Sequence, residues 1–141
     1  MSPEISAILA DVRRWAAARP DIRAMALVGS QASGHARPDS DVDLVIVADA
    51  PDAYRNTGWV KPALAQRAVV GTRWEPFGNV WSLFVALAEG PEIEFTFTER
   101  SWVRMDPPAA EVCRILCGGV LILHDPHREL LTLCSACGAR S

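Results

Sequence analysis

The 141-residue chain predicts one α/β domain over residues 1–141, and three observations carry that reading. Apolar residues Ile5, Ile8, Leu9, Val12, Trp15 and Ala16 recur at helical spacing near the start. Two nearly continuous apolar runs, 24–28 and 44–47, have the length of buried strands. A third segment, Glu92 to Thr98, alternates strictly between polar and apolar residues, the period of a half-buried strand. Half of the residues are hydrophobic, which argues against disorder and is enough for a real core.

The elements follow in order. Ser2 caps the first helix and Pro3 takes its first position, where a missing N–H costs nothing; Pro20 closes the segment. Arg23 to Val28 is the first strand. Gly29 then allows a sharp turn, and Ser30 to Ser33 is a single helical turn closed by Gly34. His35 to Ser40 is a polar loop with Pro38-Asp39 as turn residues. Val42 to Val47 is the second strand, and its apolar character after Asp43 predicts a central place. Residues 50–58 read as a loop, and 59–68 as a short helix with Leu64 and Ala68 inward. Residues 71–78 read as an extended segment with a break. Asn79 to Leu87 is a strand whose hairpin partner, after the Glu89-Gly90-Pro91 turn, is Glu92 to Thr98. Ser101 to Pro108 is a loop. Glu111 to Leu116 and Val120 to His124 read as a second hairpin about Gly118-Gly119. Asp125-Pro126 caps a last helix, His127 to about Cys137, with Leu130, Leu133, Cys134 and Cys137 on one face.

Composition narrows the function classes. A formal charge of −3 gives no sign of general nucleic-acid binding, which favours basic surfaces. The basic side chains are nearly all arginine, with Lys61 the one lysine. Arginine suits a bidentate grip on phosphate, although composition bias would give the same balance. The N-terminus lacks the basic and apolar regions of a signal peptide, and no apolar run reaches the length of a membrane span. A cytoplasmic location with four reduced cysteines is the expectation. The spacing Cys113-x3-Cys117 and Cys134-x2-Cys137 is roughly zinc-like, yet buried free cysteines explain it without metal. The five tryptophans could stack on a base, but core and interface positions account for them equally.

The chemistry concentrates between residues 26 and 47. Gly29 lets the backbone approach a bulky anion, and Ser30 offers a hydroxyl and an amide where a helical turn begins. Asp41 and Asp43 lie two apart, so both carboxylates point to one face of an extended strand. Like charges so placed repel unless a hard cation sits between them, and oxygen-only ligation suits magnesium. A phosphate cradle beside a dicarboxylate platform is equipment for phosphoryl or nucleotidyl transfer.

This stretch resembles the nucleotidyltransferase superfamily, which includes DNA polymerase beta, kanamycin nucleotidyltransferase and the minimal nucleotidyltransferases. The motif stands here as Leu27-Val28-Gly29-Ser30, then Asp41-Val42-Asp43-Leu44, with Ala32, Gly34 and Ser40 matching the common bacterial form. The resemblance implies a small mixed sheet of nucleotidyltransferase type with helices on one face, to which the C-terminal hairpin and helix are added. It implies magnesium, two ions in all, held by Asp41, Asp43 and a third carboxylate on a strand beside the second. Glu94 is favoured for that role because it sits mid-strand; Glu92, next to the Gly90-Pro91 turn, is the alternative. Gly29 and Ser30 would bind the triphosphate, with Arg37 as a further nucleotide contact and Arg73 and His35 as weaker candidates. His124 and His127 read as structural.

The implied activity is transfer of a nucleoside monophosphate from an NTP, ATP first among them, to a hydroxyl acceptor, releasing pyrophosphate. The acceptor is a small molecule or a protein side chain. Antibiotic-modifying members generally carry an extra helical domain that builds the acceptor pocket, so the pocket here is expected to be completed by dimerisation, by a partner protein, or not at all. The alternative, from a different class, is a weakly active or inactive nucleotide-binding module that acts by partner contact, as an antitoxin does.

Overall fold

A computed structural model describes residues 1–78 and 80–140; Asn79, expected to open a strand, lies outside the described residues. The elements are α1 (Pro3–Ala17), β1 (Ile22–Val28), α2 (Ser30–Ser33), β2 (Val42–Ala48), α3 (Val60–Ala63) and β3 (Val69–Phe77). They continue with β4 (Val80–Leu87), β5 (Ile93–Thr98), α4 (Ala110–Cys117), β6 (Val120–His124) and α5 (Glu129–Cys137). One six-stranded sheet runs in the order β3-β4-β5-β2-β1-β6. Among the described residues only β2 and β5 pair in parallel, and every other neighbouring pair is antiparallel. The sheet is therefore mixed, and β2 is internal, as its apolar run predicts.

The start of α1 follows from its sequence: the Ser2 hydroxyl accepts the Ile5 amide at 3.2 Å, and Pro3 follows the cap. Its six apolar positions are all buried against the sheet. They meet Leu27, Leu44, Ile46, Leu83 and Phe95 in the larger of two cores. At the far end of that core Phe97 stacks on Trp81 and Tyr54, with ring centroids 4.5 and 5.0 Å away. Trp59 packs against both Phe95 and Phe97 and donates its indole N–H to the Tyr54 carbonyl at 2.8 Å. Each such ring, fully buried, contributes about 1.5–3 kcal/mol relative to exposure.

Helices on one face only are not what forms. The opposite face of the sheet carries Ala24, Ala26, Val45 and Val47, which meet Val112 and Leu116 of α4 and Leu130 and Leu133 of α5. Strands apolar on both sides need cover on both sides, so the nearly continuous apolar runs of β1 and β2 already required two layers. Among the described residues this second core draws strand side chains from β1, β2 and β6, and none from β3, β4 or β5.

The second hairpin is likewise replaced, by a helix and a strand. Residues 110–117 form α4, because Val112 and Leu116 lie one helical turn apart and are its buried residues. Gly118-Gly119 ends the helix instead of turning a hairpin, and β6 pairs with β1. The segment 59–68 is shorter in helix than expected, because Ala65 and Gln66 take positive φ and close α3. Leu64 is buried as expected, whereas Ala68 is exposed. The Asp125 carboxylate accepts the Leu130 and Leu131 amides at 3.0 and 2.9 Å, so the capping role stands although α5 begins at Glu129.

The cysteines also depart from expectation. Helices α4 and α5 lie close enough that Cys113 and Cys137, with Cα atoms 5.1 Å apart, form a disulfide. Cys134 is a buried free thiol, as its apolar setting predicts, and Cys117 is an exposed one. Two of the four sulfurs are thus committed to each other and not available to zinc. Among the described residues no helix is long and apolar enough to cross a membrane.

Candidate active site

The parallel pairing of β2 with β5 sets the register of the site. Asp43 lies opposite Glu94, with Val42 opposite Ile93 and Leu44 opposite Phe95. Side chains alternate along each strand, so Asp43 and Glu94 share the face that α4 and α5 leave open over β5. The register is pinned from the other side, where Leu44, Ile93 and Phe95 are fully buried. A slip of one residue in either strand would turn that strand's carboxylate into the core.

Gly29 joins the expected phosphate cradle to these carboxylates. It sits at φ +80°, and a Cβ built on it would stand 3.0 Å from Asp43 Oδ2. Any side chain there would meet both backbone strain and the carboxylate. The Gly29 carbonyl accepts the Ala32 and Ser33 amides at 3.1 and 3.0 Å, which closes α2 as a single turn. A helical start leaves its first amides without intrahelical partners, so the Ser30 end of α2 is the natural seat for an anion.

Gly119 supports the cradle from behind, a role the sequence signals only through its double glycine. Its carbonyl accepts the Gly29 amide at 3.3 Å. A Cβ on Gly119 would stand 2.8 Å from the Gly29 carbonyl and 2.9 Å from Ser33. The first residues after α4 therefore fix the position of the cradle.

The electrostatics follow from this crowding. Burial first, then the charges of Glu94 and Asp41 and a hydrogen bond with Glu94, push the Asp43 carboxyl up to about 6. Asp41 is also raised, by burial and then by Glu92, against the opposing pull of Arg73. The two aspartates thus face different neighbours: Asp43 is coupled chiefly to Glu94, and Asp41 to Glu92 and Arg73. Among the described residues no three His, Cys, Asp or Glu side chains stand close enough to enclose a metal ion as placed. The donor set nonetheless suits magnesium: the available ligands are carboxylate oxygens, and a cation would relieve the repulsion that raises Asp43.

The remaining expected residues occupy two surroundings. Arg73 lies on β3 over the Phe84 ring at 4.1 Å and donates to Glu92 at 3.2 Å and to Glu75 at 3.4 Å. Glu92, just before β5, is therefore engaged by a surface arginine and does not oppose Asp43. Arg37 lies in the loop between cradle and carboxylates, where its amide donates to Ser40 Oγ at 2.7 Å. Its side chain lines a cleft of about 710 Å³ together with Gln31, Gly34, Asp39 and Glu92. His35 bonds Ser33 Oγ through Nδ1 at 3.1 Å. His124, on β6, is partly buried, which pulls its pKa down.

Two residues not anticipated as part of the site stand behind Glu94. Thr96 Oγ1 donates to Glu94 Oε2 at 3.3 Å, and Ser82 Oγ lies 2.7 Å from Thr96 Oγ1. Ser82 is fully buried. The alternation of β5 put Thr96 on the face of Glu94, but Ser82 comes from β4 and no local signal marks it.

Residues 9–75 match the family model of the nucleotidyltransferase domain. The match spans Gly29, Ser30, Asp41 and Asp43 and ends before Glu94. Among solved structures, an aminoglycoside 6-adenyltransferase from Bacillus subtilis is similar, with a TM-score of 0.51 and 16% sequence identity. The similarity covers 84% of this chain and 39% of that one. At that identity the likeness is one of fold. No curated protein sequence matches the chain.

Proposed function

We propose that this chain, whose residues 9–75 match the nucleotidyltransferase domain, is a magnesium-dependent enzyme moving a nucleoside monophosphate from an NTP to a hydroxyl acceptor. The observation that supports this best is the contact between cradle and carboxylates: Gly29 abuts Asp43, and Asp43 lies opposite Glu94. A triphosphate seated on Ser30 would reach the carboxylates without any rearrangement of the strands.

In this reading Asp41, Asp43 and Glu94 hold magnesium. The bound metal would supply Lewis-acid charge stabilisation at the phosphate and lower the pKa of the attacking hydroxyl. Gly29 gives the backbone its close approach, and the Ser30 amide and hydroxyl orient the phosphates. Arg37, from the neighbouring loop, adds positive charge near the leaving pyrophosphate. Glu94 also accepts the proton of the acceptor hydroxyl as the general base. The oxygen so freed attacks the α-phosphorus, and the bond to pyrophosphate breaks.

The acceptor is either a small-molecule hydroxyl, the class named in aminoglycoside 6-adenyltransferase, or the hydroxyl of a protein side chain. The test is incubation with each labelled NTP and magnesium, with and without acceptors of both classes, following pyrophosphate release. ATP is expected to be used first. Absence of any NTP binding defeats the reading. NTP binding without turnover on any acceptor would favour the module that acts by partner contact.

A further inference from the structure

We propose that Thr96 and Ser82 are positioning residues that hold Glu94 in its ligating orientation through a directed chain of hydroxyls. This deepens the metal-site reading above and rests on it. The direction follows from proton counting. A hydroxyl has one proton, and the Thr96 proton points at Glu94 Oε2. In the 2.7 Å contact between Ser82 and Thr96, Ser82 is then the donor. Both protons then run toward the Glu94 carboxylate.

The consequence is geometric. Oε2 is engaged along the strand by Thr96, which ties the carboxylate to its own strand. Ser82 is fully buried on β4, so its hydroxyl gives Thr96 an anchor that solvent does not disturb. Thr96 lies opposite Ser82 in the β4–β5 ladder, and Glu94 opposite Phe84. The chain therefore runs across two neighbouring strands, with no loop in it. Thr98 gives an internal contrast. It is a buried hydroxyl on the same face of β5, but it donates to the Ile46 carbonyl at 3.1 Å and serves the backbone.

The experiment is titration of the full chain with Mn2+ in the presence of ATP, read by electron paramagnetic resonance, alongside thermal melting of each variant. Thr96→Val is expected to weaken Mn2+ binding about tenfold, the lower end for loss of an outer-shell partner. Ser82→Ala is expected to give a smaller loss in the same direction. Thr96→Ser, which keeps the hydroxyl, restores binding to within about twofold. Thr98→Val lowers the melting temperature but leaves Mn2+ affinity unchanged. Equal Mn2+ affinity in Thr96→Val and the unmodified chain overturns the proposal, as does a loss that Thr96→Ser fails to restore. If instead Glu94→Gln binds Mn2+ as the unmodified chain does, or the unmodified chain takes up none, the underlying metal-site reading fails.

Discussion

The two faces of the β2–β5 pair are built from the same backbone and do opposite things. On one face Leu44, Ile46, Phe95 and Phe97 are buried under α1 and the aromatic cluster. On the other, Asp43 and Glu94 crowd each other, with Thr96 and Ser82 behind. The first face lowers the free energy of the fold; the second raises it, because a desolvated carboxylate beside another is held at a pKa of about 6. The difference teaches how a small domain tolerates a strained site. Parallel pairing places the carboxylates, and packing on the reverse keeps the strands from slipping to relieve the repulsion.

The comparison is broken most sharply at Asp43. Asp43→Asn is expected to lower nucleotidyl transfer by at least about a thousandfold, or about 4 kcal/mol of barrier, with no loss of melting temperature. Transfer surviving in that variant would remove Asp43 from the mechanism. On the other face, Phe97→Ala should cost about 3–4 kcal/mol of stability in urea unfolding, since the ring is buried against Trp81, Tyr54 and Trp59. A cost near zero would mean that this face does not pin the register.

The carboxylate face should also register in pH. Because the folded-state pKa of Asp43 lies above its ordinary value of 3.8, the folded chain binds more protons than the unfolded one between about pH 4 and 6. Stability of the metal-free protein therefore falls as pH rises through that window. The expected loss is up to about 2 kcal/mol after allowance for solvent screening. Urea unfolding across the window should show that decline, and Asp43→Asn should flatten it. An unchanged slope in the variant would assign the effect to another group. The smallest effect is expected at Glu92. Its pair with the exposed Arg73 is worth at most about 1 kcal/mol, and Glu92→Gln should change transfer by less than about threefold. A larger loss would reverse the roles of Glu92 and Glu94.

Most of the site's raw material is legible in order along the chain. Gly29-Ser30 and Asp41-Val42-Asp43 are local patterns, and Glu94 declares its face by alternation with Ile93 and Phe95. Residues 111–116 carry two local signals, because Val112 and Leu116 fit helical spacing while the double glycine after them favours a turn. A short apolar run satisfies helix and strand periods almost equally, and the partner strand decides between them. Here β1 takes β6 on its free edge, and the chain before it coils into α4.

The sequence by itself determined the cradle, the two aspartates, the strand that supplies Glu94 and the central place of β2, because each depends on spacing within a few residues. Only the tertiary structure decided which glutamate faces Asp43, which glycine backs Gly29, and which hydroxyl stands behind Thr96. Those are relations between strands, set by a register that local periodicity allows but does not choose. Glu94 and Glu92 have the same alternation and the same chemistry. Pairing Asp43 with Glu94 is what separates a carboxylate of the candidate metal site from one that meets a surface arginine.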